Sequence, residues 1–407
     1  MPSPLEAGLT TRLISCFTTR LTTRFTTRLI ACFTAALLLL APAAAQHAHP
    51  HTHVGDRTVD FPDVPGYHTL ACDFHVHTVF SDGSVWPDIR VEEAHRDGLD
   101  CLAVTDHLEY QPHADDIPHP DRNRSYDLAA GYAEDSDLIV IRGAEVTRSM
   151  PPGHSNAIFI DDANPLLVED ALDAFQEAGR QDAFVFWNHP AWVAQRPDGI
   201  ASLTDLHRRL LDDGLLHGIE VVNDDTYSDE ALQIALDHDL TILGTSDIHG
   251  LVDWQFEVPE GGHRPVTLVF AEDRSEAGIR EALESMRTAV WYRDLLIGRE
   301  EHLVPLIASS VAVDTAEYGE DASVLWVTLE NSSDAPFTLR NLTGLTFHDA
   351  ADIVTVAPRT TTTFRVKPGE RLPRIDLAFE VLNAVTAPNT HPQITFEVAA
   401  DTTRQEE

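Results

Sequence analysis

Two histidines two residues apart, His75 and His77, close an apolar stretch that alternates through Leu70, Cys72 and Phe74. Alternate residues of a strand leave from one face, so both imidazoles can converge on one point, as a pair of metal ligands does. Asp82 follows on a Ser81-Asp82-Gly83 turn, where glycine permits the tight backbone a third ligand would need. Neither feature is specific alone, but the same residue types return at the ends of later apolar runs. Asp106-His107 ends the run from Cys101, and Glu145 lies within the run from Leu138, where an unpaired carboxylate would be costly to bury. His154 opens the next run, Asn188-His189-Pro190 ends Phe184–Trp187, and Asp247-x-His249 repeats the two-residue spacing after Thr241. Mixed imidazole and carboxylate donors suit Mn, Fe or Zn, and a carboxylate bridge brings two cations close enough to share one hydroxide.

The elements that must position these residues read as α/β between residues 69 and about 290. Strands are predicted at 70–76, 101–105, 138–146, 154–160, 183–188, 218–222, 241–246 and 266–271, with helices at 86–97, 166–178, 203–213, 229–237 and 276–289. Alternation of this kind implies a parallel sheet, most economically closed into a barrel, whose functional residues gather at the carboxyl ends of the strands. That is where the histidines and carboxylates fall. Asp106 is a candidate for orienting a ligand imidazole. Arg122, Arg124, Arg148 and Arg264 lie in predicted loops near strand ends, where a guanidinium fork can grip phosphate; a solvated surface position is the alternative for each. Trp187, Trp192 and Trp254 sit beside the motifs as pocket candidates, with core packing the default for Trp187.

The ordered set His75-x-His77, Asp82, Thr105-Asp106-His107, Gly143-x-Glu145, His154, Asn188-His189-Pro190 and Asp247-x-His249 resembles the polymerase and histidinol phosphatase (PHP) family over roughly residues 69–300. The resemblance implies a distorted seven-stranded (β/α) barrel holding three divalent metal ions, Mn, Fe or Zn. It implies that His75, His77, Glu145 and Asp247 hold the first ion and its catalytic hydroxide. Glu145 would bridge to a second ion on His154 and His189, and Asp82, His107 and His249 would hold the third. The activity implied is hydrolysis of a small-molecule phosphomono- or phosphodiester. Metal-assisted hydrolysis of another bond remains an alternative, as does a surface binding protein without catalysis.

The chain has 407 residues, 43% hydrophobic and 23% charged, enough for two domains, and its formal charge is -38 with Lys367 as the sole lysine. Such an acidic chain is not built to bind nucleic-acid backbones or anionic membranes, and it must draw a phosphate locally through metals or a few arginines. Residues 1–45 carry Arg12, Arg20, Arg24 and Arg28, then an apolar run from Leu29 to Leu40, then Ala41-Pro42-Ala43-Ala44-Ala45. This is the pattern of a secretory signal peptide, so the mature protein is expected in the periplasm or outside the cell, with no membrane span left after removal. Residues 46–66 open with a His-rich tract and are expected as a flexible terminus. Cys72 and Cys101 remain after removal; export permits a bridge between them, but buried free thiols are expected. The barrel is assigned to 67–300, with 291–310 as a connector. Residues 301–407 contain six short Thr- and Val-rich strands between 323 and 398, expected as a small all-β sandwich-like domain that stabilises the barrel. The oligomeric state is left open.

Overall fold

The computed structural model describes residues 59–400. The signal-peptide reading of 1–45 and the His-rich tract at its junction fall outside these residues. Among the described residues, no helix is long and apolar enough to cross a membrane.

The first sheet has twelve strands, eleven of them from the barrel part: β1 (His68–Val76), β2 (Cys101–Val104), β3 (Ile139–Val146), β4 (Ser155–Ile158), β5 (Phe184–Trp187), β6 (Gly218–Asn223), β7 (Thr226–Tyr227), β8 (Thr241–Thr245), β9 (Val266–Ala271), β10 (Thr288–Tyr292) and β11 (Leu295–Gly298). Strands β1 to β6 are neighbours in sequence order, and β8 pairs with β6. The sheet curls until β8 meets β1: Asp247 N donates to His75 O at 3.0 Å, His77 N donates to Ile248 O at 3.1 Å, and Val76 bridges Ile248 in parallel. This gives the distorted barrel of seven strands, β1 to β6 and β8. Of the strands that line it, β2, β4, β5, β6 and β8 are buried over their whole length and β1 and β3 over most of theirs, as expected of a sheet covered on both faces.

The sheet is mixed where the sequence pattern implied a parallel one. Strand β4 pairs antiparallel with both β3 and β5. The connection 147–154 is too short for a crossover, which takes about a dozen residues or more, so the chain must turn back on itself. The reversal has a consequence for the site, because a residue that precedes β4 stands at the same end of the barrel as residues that follow the other strands. Strands β9, β10 and β11 extend the sheet from β1 in antiparallel order. The sequence reading placed β10 partly in a helix and β11 in the connector.

The C-terminal part is a sandwich of two four-stranded sheets, one containing Val311–Tyr318, Leu325–Asn331, Thr361–Lys367 and Thr346–Phe347, the other Ile353–Val356, Phe337–Asn341, Arg374–Val381 and Gln393–Ala399. Leu325–Asn331 alternates strictly, with Leu325, Val327 and Leu329 inward and Trp326, Thr328 and Glu330 outward. No flexible connector joins the two parts. The helix Glu300–Ser310 runs directly into the first sandwich strand and buries Leu303, Leu306 and Ile307 in a core that continues from Leu296 and Trp291 into Phe337, Leu339 and Ala384. A short strand, Ala384–Val385, leaves the sandwich and pairs in parallel with β11, so the barrel sheet ends in a piece of the second domain.

Residues 59–66 are likewise part of this junction and not a flexible end. Phe61 is buried edge-on against Trp291 at 5.2 Å, Asp60 N donates to Asp334 Oδ2 at 2.7 Å, and Arg359 Nη2 donates to Asp60 O at 2.7 Å. Cys72 and Cys101 are neighbours across β1 and β2, both buried and both free thiols.

Because one core crosses the junction, the two parts are expected to unfold together. Calorimetry should give a single transition, and Leu306→Ala should lower its stability by about 2–5 kcal/mol. Two separated transitions, with only one responding to Leu306→Ala, would contradict the shared core.

Candidate metal centre

Nine side chains singled out by sequence come together at one end of the barrel. His75 is on β1 and His77 immediately after it; Asp82 is on the turn beyond. Gly83 makes that turn possible, since a Cβ there would lie 2.9 Å from the backbone of His77 and Thr78. His107 follows β2, Glu145 is in β3, and an isolated bridge ties the two. His154 precedes the reversed β4, His189 follows β5, and Asp247 and His249 follow β8.

Glu145 is the centre of the group and is fully buried. Its Oε2 faces His107 Nδ1 at 2.5 Å, His77 Nε2 at 3.5 Å and His75 Nε2 at 3.7 Å. Its Oε1 faces His154 Nδ1 at 2.9 Å and His189 Nε2 at 3.5 Å. One carboxylate therefore addresses two sets of imidazoles. Asp247 Oδ1 stands 3.0 Å from His77 Nε2 and 3.2 Å from His75 Nε2. Asp82 lies 3.1 Å from His249 Nε2 and 3.5 Å from His107 Nε2. Three overlapping sets of donor atoms result, each spanning no more than 4.8 Å: His75, His77 and Asp247; His107, Glu145 and His154; and His77, Asp82, His107 and His249. His189 reaches Glu145 but joins none of these compact sets, and His77 and His107 are each shared by two, so the division differs in detail from the one the resemblance implied.

These atoms fit cations better than they fit one another. Glu145 Oε2, Asp247 Oδ1, Asp82 Oδ1 and His189 Nδ1 are buried and accept or make no well-directed hydrogen bond, although imidazole nitrogens crowd the three oxygens, an arrangement that a metal ion relieves. His75 Nε2 and His77 Nε2 face each other at 3.0 Å, two nitrogens of which at most one carries the proton that would join them unless a cation lies between. Without ions, protons hold the cluster together. Burial works against charge on His107, but Glu145 and Asp82 outweigh it and lift its pKa to about 10. Burial also opposes a charged His75, yet Asp247, Glu220 and Glu145 raise it well above the usual histidine range. His77 goes the other way, to about 4, through burial and the neighbouring His107. Burial favours a neutral Glu145, and the charges of His107 and His75 override it to hold the carboxyl well below its ordinary value.

A second layer fixes the ligands, and the sequence reading caught half of it. Asp106 accepts from Thr78 N and Thr78 Oγ1, both at 2.7 Å, and from Ser81 Oγ at 2.5 Å; Ser81 Oγ in turn lies 3.3 Å from His77 Nδ1. Glu220 was missed. Its Oε1 takes His75 Nδ1 at 2.8 Å and Thr245 Oγ1 at 2.6 Å, and its Oε2 accepts His189 N at 2.6 Å. With Nδ1–H committed to Glu220, the His75 Nε2 lone pair is directed at the cluster. A carboxylate inside the apolar run Gly218–Asn223 was the available signal, the same one that marked Glu145. Asn188 Nδ2 donates to Glu145 Oε1 at 2.9 Å. Both His189 (φ 29°) and Asp247 (φ 49°) have positive φ, a conformation that costs a non-glycine residue of order 1 kcal/mol and persists only where neighbours enforce it.

The four arginines proposed to grip phosphate do not form a phosphate clamp. Arg264 is fully buried, Nε 2.9 Å from Asp97 and Nη1 3.2 Å from Asp73; the loop position read from sequence hid an interior ion pair. Arg148 is spent on Glu109 at 2.9 Å and Glu169 O at 3.0 Å, and Arg122 on the carbonyls of Leu108 and His119, both at 3.0 Å. Arg124 begins the helix Arg124–Ala133, which sequence reading passed over, and is exposed. Of the tryptophans, Trp187 is core, its ring tilted against His207 at 4.0 Å, and Trp254 stands in solvent. Trp192 lines the centre, 5.1 Å from His189 and 5.7 Å from His154, and Tyr110 flanks it 5.8 Å from His107. Both keep about half their surface exposed.

A curled α/β barrel with carboxylates and imidazoles gathered at its strand ends is the architecture of a metal-dependent hydrolase. A two-domain protein from Bacteroides vulgatus, described as containing a predicted PHP-like metal-dependent phosphoesterase, is 43% identical, with 84% of this chain and 98% of that one covered at a TM-score of 0.79. The chain belongs to the family of PHP-like metal-dependent phosphoesterases. A candidate metal-dependent phosphoesterase from Bifidobacterium adolescentis (19% identity, 44% of this chain and 87% of that one) and an amidohydrolase from Chromobacterium violaceum (17%, 54% and 97%) both align at a TM-score of 0.35. Residues 311–397 match an Ig-like domain family, and the curated proteins give no match to the chain.

Glu220→Gln preserves volume but removes the anionic partner of His75, and is expected to weaken ion binding by about 10–100-fold in a calorimetric titration. Ion uptake must also displace the protons held by His75 and His107, both of them imidazoles with raised pKa values. Affinity should therefore climb as pH rises from 6 to 9, with protons released at neutral pH; titrations in buffers of different ionisation enthalpy measure that release.

Proposed function

We propose that the protein is an exported phosphoesterase that hydrolyses small phosphomono- or phosphodiesters at a centre of three divalent ions drawn from Mn, Fe and Zn. The observation that carries the reading is Glu145, a buried carboxylate whose two oxygens address separate groups of imidazoles, with the carboxylates of Asp247 and Asp82 converging on the same histidines. In this reading His75, His77, Glu145 and Asp247 hold one ion, Glu145, His154 and His189 a second, and Asp82, His107 and His249 a third. Bound divalent ions would neutralise the ester's charge and acidify the attacking water. Arg122, Arg148 and Arg264 already have protein partners and do not share this role.

The chain's own residues orient and screen. Glu220 and Asp106 set the imidazoles of His75 and His77, and Asn188 keeps Glu145 from rotating. Trp192 and Tyr110 offer apolar surface for the alcohol portion of the ester at the rim. Export rests on the basic, apolar and small-residue pattern of residues 1–45.

His75→Ala and Asp247→Ala should each reduce hydrolysis of chromogenic phosphate esters to background while circular dichroism retains the wild-type spectrum. Elemental analysis of the unmodified protein should find about three ions per chain, and a chelator should abolish turnover reversibly. Full turnover in both variants would sink the mechanism.

A further inference from the structure

The strand-end loop that carries Asp247 and His249 is gripped on both sides by buried charge, and none of the gripping residues belongs to the set of candidate donor side chains. On the leading side, Asp73 accepts Ser246 N at 3.1 Å and Ser246 Oγ at 2.5 Å, fixing the residue just before Asp247, and Arg264 anchors Asp73 from behind at 3.2 Å. On the trailing side stands Arg90, on the helix Pro87–Asp97 and fully buried. Its Nη2 donates to Ile248 O at 3.2 Å, its Nη1 to Gly250 O at 2.7 Å and its Nε to His77 O at 2.9 Å. Glu93 supplies the countercharge at 2.6 Å and uses its other oxygen to accept Val252 N at 2.9 Å.

The three carbonyls belong to the two ligand-bearing segments, one from β1 and one from β8. A planar guanidinium with donors in a fixed fork can hold all three at once, whereas a lysine ammonium is a single point. Asp247 between these grips keeps its positive φ of 49°. The turn with Asp82 is tied into the same unit, since Ser84 N donates to His249 O at 2.8 Å.

We propose that Arg90 is a positioning residue for the metal centre: it locks the His75–His77 and Asp247–His249 segments into the spacing that an ion requires, with Ser246 on Asp73 as the opposite grip. Interior packing alone would not call for a charged side chain here, and the carbonyls it holds belong to the segments that carry the donor side chains. The inference rests on the metal-centre reading and adds to it a residue outside the donor set.

The test titrates Mn and Zn separately into chelator-stripped wild-type protein, Arg90→Met, Arg90→Lys and Ser246→Ala. Calorimetry reads affinity and stoichiometry, and the thermal midpoint of the ion-free protein is measured alongside. Arg90→Met should weaken at least one ion by about 10–100-fold, as loss of outer ligand support does elsewhere. Arg90→Lys should recover part of that loss, and Ser246→Ala should weaken binding at an ion-free midpoint close to wild type. A merely structural arginine would lower the midpoint and leave affinities unchanged in the folded protein, which overturns the inference. If Arg90→Met does not fold, unchanged affinities in both Arg90→Lys and Ser246→Ala overturn it equally. Wild-type protein that takes up no ion overturns the metal-centre reading as well, which separates the two failures.

Discussion

A carboxylate with no exposed surface, encircled by histidines, sets the terms for the rest of this molecule. Glu145 can remain ionised in the barrel interior only if positive charge surrounds it, whether as protons on His107 and His75 or as metal ions. The histidines must therefore arrive from several strands, at a distance of a few ångströms and with the correct nitrogen forward. The closure of β8 onto β1, the tight turn at Gly83 and the reversal of β4 all serve that convergence. The reversal is the least obvious of these. By running against its neighbours, β4 brings its leading residue, His154, to the end where the others bring their trailing ones.

Much of this was legible in the residues. Fully buried strands appear as continuous apolar runs, and all of β1 to β6, β8 and β9 were read within a few residues of their observed limits. The candidate ligands were legible for a related reason: a histidine or acid that interrupts or ends such a run has to be accounted for by chemistry, not by solvent. The same reasoning should have reached Glu220, which interrupts Gly218–Asn223 in the way Glu145 interrupts β3. It was passed over because its partners, His75 and His189, are distant in sequence and the residue belongs to no short motif.

Other features were hidden because they depend on pairing across the fold. Arg264 looks like a loop arginine until Asp73 and Asp97 are placed around it, and Arg90 looks like one more polar residue on an amphipathic helix. Sequence shows that a charge is present but not whether its partner is water, a ligand or another buried charge. Strand direction was hidden more lightly. The brevity of 147–154 excluded a crossover, and chain length alone carried that information. The helix Glu300–Ser310 was obscured by Pro305 within it, a residue that ordinarily argues against a helix interior.

The junction between barrel and sandwich has a further meaning for the life of the molecule in the presence of proteases. Cleavage between domains needs an extended, accessible segment that can be drawn into a protease's active site. Here the chain crosses from one domain to the other as a helix whose Leu303, Leu306 and Ile307 are interior, and the domains are fastened in two further places, through Ala384–Val385 on β11 and through Asp60 on Asp334 and Arg359. A single cut in the helix would still leave two noncovalent fastenings between the halves. Nicked protein would then stay associated in its native form, and its loss of integrity would show only under denaturing conditions.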